Sequence, residues 1–406
     1  MLLQWGINKM GNFTYVPAEV PGACSMNENI FWFDDGKKQR LGWWRPDSVF
    51  QYPNILISAF YGQDWPDIRK DLEFPDNGII IGDSGGFQLM SLKEWSHKDI
   101  NIDPTKVFKW QAKNCDIGFP VDYPPFENSE AAFEKSIRIS EKNFAIAEKL
   151  YIKNYAIPNG IPGKKNSDGN REFFMYNVLQ GYGFDIKKLD RWYAMASKFK
   201  NMSETGWAFG CKPYARPMMI AHQAMYMYNK GYRKNFHFLA VSGSKTIPVL
   251  AYLARYIDNI TSDSSGWAQG SMQRKYFLPG YFGKFELFFG EHNKANIDSL
   301  PCSCPVCKKI GKNVGLLSAK GSAPGGIMSL HNLYQIIQFV KLCNSLKEDE
   351  VVFKNFVRKM FDKEVQTAIE FIDYSLEKGF DEACIKFREH FYMESGKLNT
   401  GKLSDY

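Results

Sequence analysis

Apolar residues fall in two rhythms along this chain. From about residue 53, short apolar runs alternate with stretches whose apolar positions recur every three or four residues, the order expected of parallel strands joined by crossover helices. The runs are Asn54 to Phe60, Gly78 to Gly82, Asp116 to Val121, Phe173 to Leu179, Gly206 to Phe209, Phe236 to Val241 and the less apolar Ile257 to Ser262. An eighth strand is expected upstream of Asp35, either at Asn12 to Val16 or at Ile30 to Phe33. Eight such strands predict the α/β class and a (β/α)8 TIM barrel.

The intervening helices have local signatures. Asp103-Pro104 reads as an N-cap followed by proline at the first helical position, and Ser129 to Tyr151 carries apolar residues at helical spacing. Ile186 to Phe199, Pro217 to Asn229 and Lys245 to Tyr256 are further helices. The polar, glycine-containing segment Pro158 to Asn170 predicts a long loop between the fourth and fifth strands, a kind of segment that often carries function. Beyond residue 329, Leu330 to Leu346 and Val351 to Phe391 read as amphipathic helices packed on the barrel, and 396–406 as a disordered tail. No repeat or linker composition calls for a second domain, so residues 1–395 are expected to form one.

Composition narrows the class. The chain has 406 residues and eight cysteines, of which Cys24, Cys115, Cys211, Cys343 and Cys384 are scattered among mostly apolar neighbours, a usage suited to a reducing cytoplasm. There is no signal-peptide pattern at the N-terminus and no run of eighteen apolar residues, so neither export nor a membrane span is expected. The net charge of +7 is clumped at Asn229 to Lys234, Gln273 to Tyr276 and Lys308 to Lys312. Basic residues interleaved with aromatics fit a polyanion partner, and they fit an ordinary solvated surface equally well.

Cys302-Ser-Cys304-Pro-Val-Cys307 with His331 supplies three thiols and an imidazole. Zn²⁺ prefers these donors in a tetrahedron, and four protein ligands leave no position for an activated water. A structural zinc in a subdomain of about residues 290–345 is therefore expected, with the chemistry elsewhere.

In a barrel the active site is built at the C-terminal ends of the strands. Asp83, Asp122, Gln180 and Asp263 each follow one of the runs. Any one of them reads as well as a turn former, but their recurrence points to a shared mouth. Gly82-Asp-Ser-Gly-Gly86 also matches the string around the nucleophile of trypsin-like proteases. Those enzymes place a histidine and an aspartate upstream of the serine, whereas the first histidine here is His97, downstream of Ser84.

Asp83-Ser-Gly-Gly-Phe-Gln88, followed by the Cys302/Cys304/Cys307/His331 set, resembles the signatures of the tRNA-guanine transglycosylase superfamily. The resemblance covers roughly residues 50–340. It implies a zinc-bearing (β/α)8 barrel that exchanges guanine in a nucleic acid for a 7-deazaguanine such as preQ0 or preQ1. By resemblance, Asp263 matches the nucleophile, Asp83 the general acid/base, and Ser84, Asp122, Gln180 and Gly210 the residues that read the base. The surroundings of Gly210, Trp207-Ala-Phe-Gly-Cys211, match the family's glycine-rich segment only in part. Family enzymes often pair through surfaces near the zinc, which makes a homodimer an expectation here.

Departures from the family pattern bear on the polymer. Bacterial tRNA enzymes carry Thr-Arg-Ser-Gly-Arg after the nucleophile, where this chain has Gly266-Trp-Ala-Gln-Gly-Ser-Met-Gln-Arg-Lys275. Archaeal enzymes add C-terminal RNA-binding domains, whereas the residues after His331 read as helices of the barrel's appendage. The chain is most similar to the DNA-guanine transglycosylase branch, which implies insertion of a preQ0-type base into DNA. Base exchange in tRNA is the alternative, and a noncatalytic nucleic-acid-binding partner subunit is a second one, disfavoured by the presence of both Asp83 and Asp263.

Overall fold

The computed structural model describes residues 11–19, 30–32, 38–40, 42–62, 67–86, 102–124, 129–154, 172–180, 184–210, 216–273, 275–280, 287–288, 302–311 and 322–395. Its strands are β1 (Asn12–Pro17), β2 (Ile30–Trp32), β3 (Lys38–Arg40), β4 (Asn54–Ser58), β5 (Ile79–Asp83), β6 (Ile117–Gly118), β7 (Phe174–Met175), β8 (Asn177–Gln180), β9 (Trp207–Gly210), β10 (Asn235–Leu239), β11 (Asn259–Ser264), β12 (Lys275–Tyr276) and β13 (Leu287–Phe288). The seven expected runs all contain strands. The open choice near the N-terminus resolves to Asn12–Pro17, which pairs in parallel with β11, whereas Ile30–Trp32 forms an antiparallel ladder with β3.

Parallel pairing follows chain order. One sheet is β4-β5-β6-β7 and the other is β1-β11-β10-β9-β8. They meet at two places. The Tyr176 amide donates to Gly118 O at 3.0 Å and the next amide, Asn177, to Gly206 O at 2.9 Å, so a single strand changes partner in one step. At the other junction the Ala18 amide donates to Ser264 O at 3.0 Å and Glu19 to Leu56 O at 2.9 Å, beside the parallel bridge Ala18–Leu56.

β6 is shorter than its apolar run because Pro120 has no N–H to continue the ladder. A side chain takes over: buried Gln111 Nε2 donates to Gly82 O at 2.8 Å and to Phe119 O at 3.0 Å, holding the ends of β5 and β6 together. Gly82 and Gly118 leave room for it, since a Cβ at either would lie 2.9–3.0 Å from Gln111 atoms.

The helices form where the pattern places them. Asp103 caps Pro104–Asn114 by accepting from the Thr105 amide at 2.8 Å. Glu130–Asn154, Pro217–Asn229 and Thr246–Leu253 match single expected helices, whereas Ile186 to Phe199 stops at Ala196 and is followed by Lys200–Thr205. The C-terminal region is divided into Ser322–Leu346, Glu350–Met360, Lys363–Lys378, Phe380–Lys386 and Arg388–Ser395. Asp349 caps the second of these, and Gly379, at φ +96°, makes the break between Lys363–Lys378 and Phe380–Lys386. Tyr252 donates to Asp373 and Arg255 pairs with Glu350 at 3.2 Å, fixing these helices to Thr246–Leu253 and the turn after it. The expected loop at Pro158 to Asn170 and the tail at 396–406 lie outside the described residues.

The start of β5 and the segment leading into β6 are fixed by a buried ion pair. Asp116 is fully buried and accepts from Arg69 Nη2 at 2.6 Å and from the Ile80 amide at 2.8 Å, while Arg69 also donates to Pro75 O and Gly78 O, both at 3.1 Å. Removing one partner of such a pair strands the other. Asp116→Ala is expected to lower unfolding free energy by about 3–5 kcal/mol in urea titrations. Breaking the exposed Lys198–Glu141 pair should cost about 1 kcal/mol or less.

Candidate functional site

Residues paired in a parallel ladder point to the same face, and so do alternate residues of one strand. Asp83 pairs with Ser58, Gln180 with Gly210, and His237 with Thr261, two residues before Asp263. This register collects Asp83, Gln180 and Asp263 at the C-terminal ends of their strands. Asp122 joins them from the segment after β6. Asp263 is the penultimate residue of β11, which extends to Ser264, so it lies within the ladder and is buried. The sequence run stops at Ser262 because Asp263 and Ser264 beyond it are polar even though both are buried.

Asp83 Oδ2 accepts from the Gly85 amide at 3.1 Å, a contact that closes a turn in which Gly85 sits at φ +85°. Burial pushes the Asp83 carboxyl up to about 6, the negative charge of Asp263 adds to this, and the Gly85 and Ser84 amides with the Ser58 hydroxyl oppose it. Asp122 is also raised to about 6, chiefly by burial with a contribution from Asp83, against the hydrogen bond from Gln180. That bond, Gln180 Nε2 to Asp122 Oδ2, is 2.7 Å long. Gly210 makes space for the amide: an added Cβ would sit 2.0 Å from Gln180 Oε1. Gly86 does the same for Asp122, where a Cβ would lie 2.9 Å from Oδ1. Ser84 is buried beside them.

Asp263 is held differently. Its Oδ1 accepts from the Ala240 amide at 2.8 Å and lies 3.2 Å from His237 Nε2. Ser58, His237 and Ala240 were not among the residues singled out from sequence. The one available signal was a histidine in the otherwise apolar run Phe236 to Val241. Chemically, the site offers one carboxyl that exchanges its proton near neutrality beside another whose first oxygen is occupied by donors. Next to them is a carboxyl–amide pair able to read the edge of a ring. Phe87 and Gln88 lie outside the described residues.

The second constellation is the cluster of Cys302, Cys304, Cys307 and His331, whose ligand atoms all lie within 4.8 Å of one another. His331 Nδ1 is 3.4 Å from Cys304 Sγ and 3.3 Å from Cys307 Sγ. A tetrahedral zinc would set N–S edges of about 3.6 Å and S–S edges of about 3.8 Å. His331 Nε2 is 2.7 Å from Phe277 O. A proton there fixes the tautomer that presents Nδ1 to a metal. The thiols are approached by donors suited to thiolates: the Cys304 amide and Gln335 Nε2 to Cys302, the Cys307 amide to Cys304, and Tyr276 O–H to Cys307. The Tyr276 ring stacks on His331 with centroids 3.8 Å apart. This set can hold a metal such as zinc.

The two constellations are joined through Asn332, next to His331. Its Nδ2 donates to Trp267 O at 3.3 Å and Lys275 O at 2.9 Å, and its Oδ1 accepts from the Phe277 amide at 2.9 Å. Trp267 belongs to Gly266–Met272, the helix that follows Asp263.

No known family profile matches the chain. A curated relative, the tRNA-guanine(15) transglycosylase of Korarchaeum cryptofilum (strain OPF8), is 22% identical over 278 residues, covering 65% of this chain and 40% of the relative. The chain thus spans well under half the length of the relative it matches. The similarity is a distant one to a protein named as a tRNA-guanine transglycosylase. Among the described residues no helix is long and apolar enough to cross a membrane.

Two outcomes are expected. Cys304→Ser should bind less metal by elemental analysis and melt at a lower temperature in parallel; full thermal stability in metal-free protein would remove the staple. Asp83→Asn should stabilise the protein at pH 8. The folded wild type holds the Asp83 proton up to about pH 6, whereas the unfolded chain releases it near pH 4. Wild-type stability therefore falls as pH rises through this window, and the neutral amide escapes that loss. Allowing for partial exposure, the gain is about 1–2 kcal/mol at pH 8 and near zero at pH 4, measurable by urea unfolding at both pH values.

Proposed function

We propose that the chain is a guanine transglycosylase that replaces a guanine base in a nucleic acid with a 7-deazaguanine of the preQ0 type. The observation that carries this reading is the pairing of Asp83 with Asp263 in one mouth, beside the Asp122–Gln180 pair. The parallel pairings in chain order, joined at Tyr176–Asn177 and Ala18–Leu56, are read as a (β/α)8 barrel, and residues 1–395 as one domain built on it.

In this reading the target nucleotide is flipped out so that its C1′ reaches Asp263. The Asp263 carboxylate attacks C1′ as the bond to guanine N9 breaks, and Asp83 delivers its proton to the departing base. A glycosyl ester on Asp263 remains. The incoming 7-deazaguanine gives its N9 proton to the Asp83 carboxylate and attacks C1′, expelling Asp263. Two inversions retain the configuration, as in a retaining glycosidase with a base in place of water. The elevated Asp83 carboxyl suits both proton transfers near neutral pH. Asp122 accepts from the N1–H and exocyclic amine of the ring, while Gln180, Ser84 and the Gly210 backbone complete the reading of its edge. Cys302, Cys304, Cys307 and His331 hold a structural zinc with no open coordination position.

The name of the relative favours tRNA as the polymer. DNA is the second reading, and a specific observation supports it: Gly266–Met272, which follows Asp263, is a helix without a basic residue, where bacterial tRNA enzymes carry Thr-Arg-Ser-Gly-Arg. The experiment is to incubate the zinc-loaded chain with labelled preQ0 and, separately, tRNA, single-stranded DNA and duplex DNA. Label should enter one polymer with release of one guanine per base incorporated, and Asp263→Ala should lower incorporation by roughly 1,000-fold or more. Label in tRNA alone supports the first reading and label in DNA alone the second. Incorporation into neither, by metal-replete protein, would overturn the assignment.

A further inference from the structure

The layer beneath Asp263 contains a histidine that the base-exchange chemistry does not call for. His237 is fully buried in β10, and its ring stacks on Phe119 with centroids 4.9 Å apart and planes 29° from parallel. Nε2 faces Asp263 Oδ1 at 3.2 Å, and Nδ1 lies 2.8 Å from Thr261 Oγ1. Both partners are on β11, two residues apart and on one face of the strand.

Chemistry selects the protonation. An ionised Asp263 offers only lone pairs, so a bare Nε2 would set two acceptors against each other at this distance. Nε2 therefore carries a proton, and Thr261 meets Nδ1 either by turning its hydroxyl from Phe236 O, 3.4 Å away, to donate to the ring, or by keeping that bond and accepting from a cationic ring. The second donor to the same carboxylate oxygen is the Ala240 amide at 2.8 Å. Ala240 sits just past the end of β10 at φ +59°, a conformation unfavourable for a residue with a Cβ. The turn that aims this amide at Asp263 is thus held against local preference, as happens where a site constrains the backbone. Both hydrogen bonds that Asp263 makes among the described residues fall on Oδ1.

We propose that His237 is a positioning residue: its Nε2–H and the Ala240 amide together pin Asp263 Oδ1, orienting the carboxylate so that Oδ2 is the oxygen that bonds to C1′. This rests on the transglycosylase reading for its chemical consequence and on geometry alone for its hydrogen-bond pattern. Phe119 restricts the ring to one plane, and Thr261 fixes its rotation. A carboxylate held by one oxygen presents the other without a conformational search, which raises the rate of the covalent step more than the affinity for the base.

Two measurements test the proposal on the full-length, metal-replete chain. The first uses ¹⁵N-histidine protein with the His237 signal assigned by its loss in His237→Gln. Nitrogen shifts should show a protonated Nε2 at pH 7.5, whereas an unprotonated Nε2 overturns the proposal whatever reaction the protein catalyses. The second follows formation of the Asp263 adduct under single-turnover conditions on the polymer that takes up label. His237→Phe should slow this step about 10- to 100-fold with the apparent KM for the free base within about twofold of wild type. His237→Gln, whose amide can donate from near the Nε2 position, should recover most of the rate. A His237→Phe protein that melts like wild type and forms adduct at the wild-type rate overturns the positioning role while leaving base exchange intact. Should His237→Phe fail to fold, a His237→Gln protein as slow as Asp263→Asn would overturn it too. Absence of any adduct in the wild type counts against the transglycosylase reading and leaves the nitrogen shifts to decide the hydrogen-bond pattern.

Discussion

Three carboxylates share one poorly solvated mouth, and most of what surrounds them serves to keep them there. Carboxylates drawn together out of water repel one another and lose hydration. In this protein Asp83 and Asp122 are shifted toward their neutral forms chiefly by burial, with the charge of Asp263 adding to the shift of Asp83 and that of Asp83 to the shift of Asp122. Each is then matched to a different kind of donor: short-range amides and a hydroxyl for Asp83, a side-chain amide for Asp122, an imidazole and a backbone N–H for Asp263. The glycines at 85, 86 and 210 are the steric counterpart of the same requirement: Gly85 and Gly210 let donors come within reach, and Gly86 leaves room for the Asp122 carboxylate. Stability is given up at this end of the sheet, and the Arg69–Asp116 pair, with its backbone partners, secures the opposite end.

The cluster of three cysteines and His331 serves this mouth from a distance. His331 and Asn332 are adjacent on one helix, and each grips the chain that follows Asp263: His331 at Phe277, Asn332 at Trp267, Lys275 and Phe277. A metal that fixes His331 therefore also fixes where the polypeptide goes after leaving β11. The cysteine segment needs no direct contact with the carboxylates to influence them. It acts through backbone carbonyls whose positions are set by two neighbouring side chains.

Much of the strand order was legible because parallel strands buried on both faces read as continuous apolar runs. The position of Asp83, Asp122 and Gln180 at strand ends followed from that grammar, and the clustering of the three cysteines with His331 from their spacing. Other features were hidden for physical reasons. The choice between Asn12 and Ile30 for the first strand turns on pairing with β11, which no local property records. The extension of β11 through Asp263 to Ser264 is hidden because burial there is paired with polarity, contrary to the usual correlation. His237, Ser58 and Ala240 act through register, since each becomes a neighbour of a carboxylate only when the strands align. Ala240 contributes its backbone alone, and a backbone donor leaves no mark in the residue alphabet.

The partnership of Gln180 and Gly210 has a consequence for how this site changes over time. The two residues sit opposite each other on adjacent strands, and the amide of one fills the space that a side chain on the other would take. Neither position is free to vary by itself: any larger residue at 210 displaces the donor to Asp122, and any shorter one at 180 leaves a void over glycine. Descent can reshape this pocket only by paired steps. The first of each pair passes through a protein whose Asp122 has lost its companion.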